Sequence, residues 1–182
     1  MIKRRVLSLV GPSLFRPILA VFFAALLLST VGANGSALAA GAPTSGGPAK
    51  AAKTAMESWS IGWNTGNLDL IVEAVGKGFY WDASLPPEGI KGKELREYAA
   101  LLFKAFPDTK FSYNHVKYTK KAVYWEWTWK ATHTGAFAGK APTNKAIVLS
   151  GIDVIRARKD GTVSIKSYWN ELALLKAIGA AE

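Results

Sequence analysis

Tryptophan occupies every second position from Trp125 to Trp129, within the run Tyr124-Trp125-Glu126-Trp127-Thr128-Trp129-Lys130-Ala131-Thr132-His133. A strand turns successive side chains to opposite faces. Trp125, Trp127, Trp129, Ala131 and His133 therefore share one face, and Glu126, Thr128, Lys130 and Thr132 the other. The first face is apolar up to its last member and the second is polar throughout. The tryptophan face has to be buried, because each indole removes about 150–250 Å² from water. The rest of the chain has to supply the cover.

The cover is helical and comes first. From Ala49 to Asn64, Ala52, Met56, Trp59 and Trp63 recur at spacings of four, three and four, which makes one apolar face. Gly66 is a stop, and Asn67 can cap a second short helix from Leu68 to about Val75. Phe79 to Trp81 is a short strand candidate. A third helix runs from about Gly92 to Ala105, with Leu95, Tyr98, Ala99, Leu102 and Phe103 on one stripe, and Pro107 stops it. Strands follow at Lys110–Tyr118, Ala122–Thr134, Lys145–Ala157 and Thr162–Trp169. A short helix, Leu172–Ile178, closes the chain. Helices and strands segregated in this way imply an α+β fold. The expected architecture is a bent antiparallel sheet of about four long strands, wrapped by three helices into an open cone with a pocket inside.

The first 48 residues do not fit that domain. Lys3, Arg4 and Arg5 precede an unbroken apolar run, Ile18 to Leu28, and Ala37-Leu38-Ala39 has the form of an A-x-A cleavage site. Residues 1–39 read as a secretory signal cut after Ala39, with an uncleaved anchor as the other reading. Residues 40–48 read as a flexible Gly/Ser/Pro leader, and 49–182 as the folded domain. The expectation is an exported protein, periplasmic or extracellular, with no stable membrane insertion once the signal is cut. The net charge of +10 suggests nucleic acid at first sight. Four of those charges, Lys3, Arg4, Arg5 and Arg16, lie in the signal and the rest are scattered, so a nucleic-acid partner is not expected. Cysteine is absent, which removes disulfides, thiolate nucleophiles and cysteine zinc sites, and two histidines are too few for a metal cage.

The tryptophan face supports two readings. The rings are all core, or the outer ones line a pocket for a flat apolar ligand together with Trp59 and Tyr80. His133, at the end of that face, is a candidate acid or base near neutral pH or else a hydrogen-bonded structural histidine. Asp153 stands in a largely apolar strand, where desolvation raises a carboxyl pKa towards the range that proton abstraction needs. Glu126, on the opposite face, points to solvent, and His115 reads as a surface or packing residue.

The segment Thr132-His133-Thr134-Gly135-Ala136-Phe137-Ala138-Gly139, with Pro142-Thr143 after it, resembles the T-H-x-G-x-F-x-G…P-T turn of SnoaL-like polyketide (ester) cyclases in the nuclear transport factor 2-like superfamily. Trp63-Asn64-Thr65-Gly66-Asn67, Phe106-Pro107-Asp108, Gly151-Ile152-Asp153 with Arg156 and Asp160-Gly161, and Leu174-Leu175…Ile178-Gly179 match further family segments in the same order. The resemblance implies a cone fold around a deep pocket, often in a homodimer. It also implies ring closure by aldol chemistry without a metal or organic cofactor. In the family an aspartate in a Y-x-D pattern before the last helix moves the proton. The matching residues here are Tyr168-Trp169-Asn170, and a neutral amide cannot be a general base. Asn170 is left to orient a ligand carbonyl or to cap the terminal helix. Asp82, after the short strand, and Asp153 are the candidates to replace the missing acid, with His133 as partner.

Three functions remain open on this reading. One is a binding protein for an apolar, carbonyl-bearing small molecule, with Tyr168 and Asn170 among the lining residues and weak or altered catalysis. Another is an active cofactor-independent cyclase or isomerase using His133 with Asp82 or Asp153. The third is a dimeric interaction domain without a ligand.

Overall fold

The computed structural model describes residues 47–120 and 122–182; the expected signal and most of the expected leader lie outside them. The elements follow in the order α1 (Gly47–Thr65), α2 (Leu68–Val75), β1 (Phe79–Trp81), α3 (Gly92–Ala105), β2 (Lys110–Tyr118), β3 (Val123–Thr132), β4 (Ala146–Ala157), β5 (Val163–Trp169) and α4 (Glu171–Ile178). The first helix begins two residues earlier than expected, inside the stretch read as a leader. Asn67 caps α2 as expected, its side chain accepting from the amides of Asp69 and Leu70 at 3.0 and 3.2 Å.

One mixed sheet carries all five strands in the order β1-β5-β4-β3-β2. The four long strands pair antiparallel, as the sequence suggests. The short β1 corrects the all-antiparallel expectation. It lies parallel to β5, with Tyr80 opposite Ile165. Parallel neighbours need a long crossover, and here α3 and three strands lie between the two in sequence. At the other edge the register of β2 against β3 shifts between Tyr113 and Val116. A bulge of this kind bends its strand and increases the local twist.

The alternation along β3 is realised. Val123, Trp125, Trp127, Trp129 and Ala131 are buried, and Glu126 and Lys130 are exposed. Helix α1 lays Ala52, Ala55, Met56, Trp59 and Trp63 on this inner face. Two apolar clusters result. One gathers Trp59, Trp63, Trp125 and Tyr80 under α1, α2 and α3. The other gathers Phe106, Trp127, Trp129 and Ile147 with Leu174 and Ile178 of α4.

Two glycines set close approaches that the site depends on. Gly151 lies opposite Trp127 across the β3–β4 ladder, and a Cβ there would stand 2.3 Å from the indole Cζ2. Gly135 follows the end of β3 and donates its amide to the Ala105 carbonyl, as Thr134 does; a Cβ there would stand 2.1 Å from the Lys104 carbonyl oxygen.

Overpacking a filled interior costs about 1–3 kcal/mol. Gly151→Ala is therefore expected to lower the free energy of unfolding by about 2 kcal/mol in urea titration, and to alter folded-state tryptophan emission because Trp127 has to move.

Candidate active site

The inner face of β4 carries a carboxylate where its neighbours are apolar. Asp153 is 2% exposed, two residues on from Gly151 and opposite both Trp125 on β3 and Ser167 on β5. Three donors converge on it. The Trp59 indole N–H, from α1, reaches Oδ2 at 3.0 Å. The Trp127 indole N–H reaches Oδ1 at 2.9 Å, and the Ser167 hydroxyl donates to the same oxygen. No lysine or arginine among the described residues forms an ion pair with it. Burial pushes its pKa up to about 6, against the pull of its three hydrogen bonds, and the nearby Asp82 carboxylate adds to the rise.

Asp153 faces a small cavity between the two apolar clusters. Trp59, Trp63, Tyr80, Tyr98, Phe111, Tyr113, Trp127, Trp129 and Trp169 line it, with Thr109 and Ser167 as the uncharged polar members. Among the described residues, Asp153 is its one carboxylate. The space open to water is about 40 Å³, room for about one or two molecules. A ligand larger than that enters only when lining side chains rotate.

Asp82 lies behind this wall. It follows β1, on the same face as Tyr80, and is fully buried. Its Oδ2 accepts from the Tyr80 and Tyr98 hydroxyls at 2.8 and 2.7 Å, and its Oδ1 from the Ser84 amide and hydroxyl at 2.9 and 2.6 Å. Burial raises the pKa of both phenols well above the ordinary value, and the Asp82 charge adds to the effect. Both phenols therefore keep their protons at neutral pH and serve Asp82 as hydrogen-bond donors.

The remaining candidates are placed elsewhere. His133 is fully buried just past the end of β3, but outside the cavity lining. Its Nδ1 meets the Thr143 hydroxyl at 3.0 Å, its Nε2 has no hydrogen-bond partner, and its ring packs on Phe106 at 5.3 Å. Desolvation lowers its pKa, which keeps the imidazole neutral near pH 7. Its partners lie in the loop from Thr134 to Lys145 and on Phe106, and no hydrogen bond joins it with Asp82 or Asp153. Trp125 is core; it lies against Tyr113 at 3.7 Å and its buried N–H has no partner. Tyr168 is 48% exposed and lies against Trp81 on the outer face, because the period of β5 turns Ser167 and Trp169 inward. Asn170 caps α4, accepting from the Ala173 amide at 3.0 Å. Trp59, Tyr80, Trp127 and Trp129 do line the cavity. Ser167 and Trp169 share the inward phase of Val163 and Ile165, and that alternation was the signal that could have found them. Tyr98 sits on the expected apolar stripe of α3. As expected, Glu126 is exposed, and it pairs with His115 at 3.0 Å.

A family model described as SnoaL-like polyketide cyclase matches residues 53–178. No curated protein sequence matches the chain. Among solved structures, a candidate SnoaL-like polyketide cyclase from Jannaschia sp. CCS1 superposes with a TM-score of 0.62 at 22% identity, covering 78% of this chain and all of that one. AclR, a candidate hydroxylase from Streptomyces galilaeus, gives 0.61 at 21% identity over 72% and 86%. SalBIII, an epoxide hydrolase/cyclase-like enzyme of pyran ring formation in the polyether salinomycin, gives 0.53 at 18% identity over 68% and 94%. These likenesses establish a common fold.

A buried carboxyl with a raised pKa binds its proton more tightly in the folded chain than in the unfolded one. The stabilisation is complete below the ordinary value of 3.8 and is lost as pH rises through about 6. Asp153 alone is expected to remove about 2 kcal/mol between pH 4 and pH 7. Urea denaturation across that range should show this loss in the native chain and a flatter dependence in Asp153→Asn.

Proposed function

Because the chain belongs to the SnoaL-like polyketide cyclase family, we propose that it takes an apolar, carbonyl-bearing small molecule into the aromatic cavity and that Asp153 moves a proton on it. The observation that carries this reading is a desolvated carboxylate, with a pKa raised to about 6, facing an aromatic cavity. The Trp59 and Trp127 N–H groups and the Ser167 hydroxyl fix its direction and leave the carboxylate capacity for about one more partner at the cavity it lines. A C–H beside the substrate carbonyl gives its proton to Asp153, and its electron pair becomes the enolate. If the same molecule holds a second carbonyl, the enolate carbon bonds to that carbon. The new alkoxide then takes the proton back from Asp153. No atom is gained or lost in this sequence.

His133 has no part in the step, and Asn170 is occupied as a cap. The family's usual acid position is thus retired here, and Asp153 carries the role instead. A second reading, ligand binding without turnover, draws on one observation: the three donors already satisfy most of the capacity of Asp153. In either case we propose export through residues 1–39, on the strength of the basic start, the apolar run and the A-x-A site.

The compact aromatic ketone 2-tetralone is the test molecule, in D2O, followed by proton NMR. The full chain is expected to accelerate exchange of the α-protons, with a rate that rises through about pH 6 as Asp153 ionises. Asp153→Asn should lose about 100-fold or more of that rate. Tryptophan emission that responds to the ketone without any exchange would leave only the binding reading. No response in either measurement would remove the small-molecule role.

A further inference from the structure

Two carboxylates are buried within one side-chain network, and only one of them touches the cavity. We infer that Asp82 is a positioning residue: held behind the cavity wall by Tyr80, Tyr98 and Ser84, it sets the proton affinity of Asp153 through the Tyr80–Ser167 side of the site.

The geometry is specific. Tyr80 stands between the two acids. Its hydroxyl donates to Asp82 at 2.8 Å, its ring packs at 5.0 Å on Trp59, which itself bonds Asp153, and the β1–β5–β4 register runs from Asp82 past Ser167 to Asp153. Ser167 in turn donates to Asp153. Tyr98 makes the second phenol bond to the same Asp82 oxygen, and its ring packs on Tyr80 at 5.8 Å. The groups facing the pair from the other elements are neutral or acidic. They are Trp59 on α1, Tyr113 on β2, Trp125 and Trp127 on β3, and Glu171 on α4, which feels the Asp82 charge. Among the described residues no cation pairs with either acid. A buried negative charge with no nearby counter-charge disfavours ionisation of a second one close to it. Asp82 therefore biases Asp153 towards its protonated form, and the four donors on Asp82 keep the source of that bias fixed in place.

The inference deepens the proton-transfer reading, but its test does not depend on turnover. The indole N–H groups of Trp59 and Trp127 report on Asp153 directly, because each is bonded to it. Their 15N and 1H shifts, followed against pH in the full chain, give the Asp153 midpoint whether or not any ketone reacts. Asp82→Asn is expected to lower that midpoint by a few tenths of a pH unit, and Asp82→Glu, which restores the charge, to return it towards the native value. If the asparagine chain does not fold, Asp82→Ser, which leaves room for water beside the two phenols, serves in its place. A midpoint that stays within about a tenth of a unit in a folded neutral variant overturns the inference. Ketone exchange, where present, should show the same downward shift in its pH profile. A shift in the indole signals without any exchange would keep the coupling and remove the catalytic reading instead.

Discussion

A buried carboxylate held by two indole N–H groups ties the helical layer to the sheet. Trp59 comes from α1 and Trp127 from β3, and both end on Asp153 of β4. Apolar packing alone sets no single depth for a helix on a sheet, because it is non-directional. Two directed bonds to one acceptor fix both the rotation of α1 and the tilt of the β3 ring. Gly151 is part of the same constraint. It leaves the space in which the Trp127 ring lies flat enough to reach Asp153. The Gly151-Ile152-Asp153 triplet is therefore one device: the glycine admits the ring, the acid receives its N–H, and Ile152, on the alternate face, stays out of the site.

Much of this was legible in the sequence, and the parts that were not share a cause. Strict alternation along β3 announced the buried face, and the four-three-four spacing of α1 announced its cover. Both are local signals of many residues. The three-residue β1 carries no such signal, and its parallel pairing with β5 is settled by distant parts of the chain. The inward phase of β5 was readable from Val163, Ile165, Ser167 and Trp169; following the family pattern to Tyr168 and Asn170 instead selected the outward ring and a helix cap. His133 shows the limit of face assignment. It does share the tryptophan face, but it is fully buried outside the cavity, beside a loop from Thr134 to Lys145 that Thr134 and Gly135 anchor on the end of α3. Which residues share a face follows from the strand period, and which of them meet open space depends on the loops above.

The donor set around Asp153 bears on what the position is for. Two indoles and a hydroxyl all donate, so the position calls for a group that accepts from three partners. An amide side chain would turn its own NH₂ against one of them. A protonated acid would place its single hydrogen towards one of the lone-pair directions left free. The ionised carboxylate fits the donors best and suits its apolar surroundings worst. Those opposing preferences bring the pKa to about 6 rather than to either extreme. A group poised there exchanges a proton with small change in free energy near neutrality, which a purely structural acceptor has no need to do.

The cavity sets the last constraint. Its open space is about 40 Å³, and its walls are aromatic rings in tilted, edge and stacked contacts with one another. Rings in such a wall exchange one aromatic contact for another at little cost, so a flat ligand can replace ring-to-ring packing with ring-to-ligand packing. A long flexible chain would lose more entropy on entry and recover less contact. The Trp59 and Trp127 rings are the least free to move, since their N–H groups are committed to Asp153. Phe111, Tyr113 and the half-buried Trp169 make no hydrogen bond to Asp153, so rotation of these rings does not break its donor set. For the proton transfer proposed above, the ligand that suits this arrangement best is therefore compact and planar, with its carbonyl turned towards Asp153.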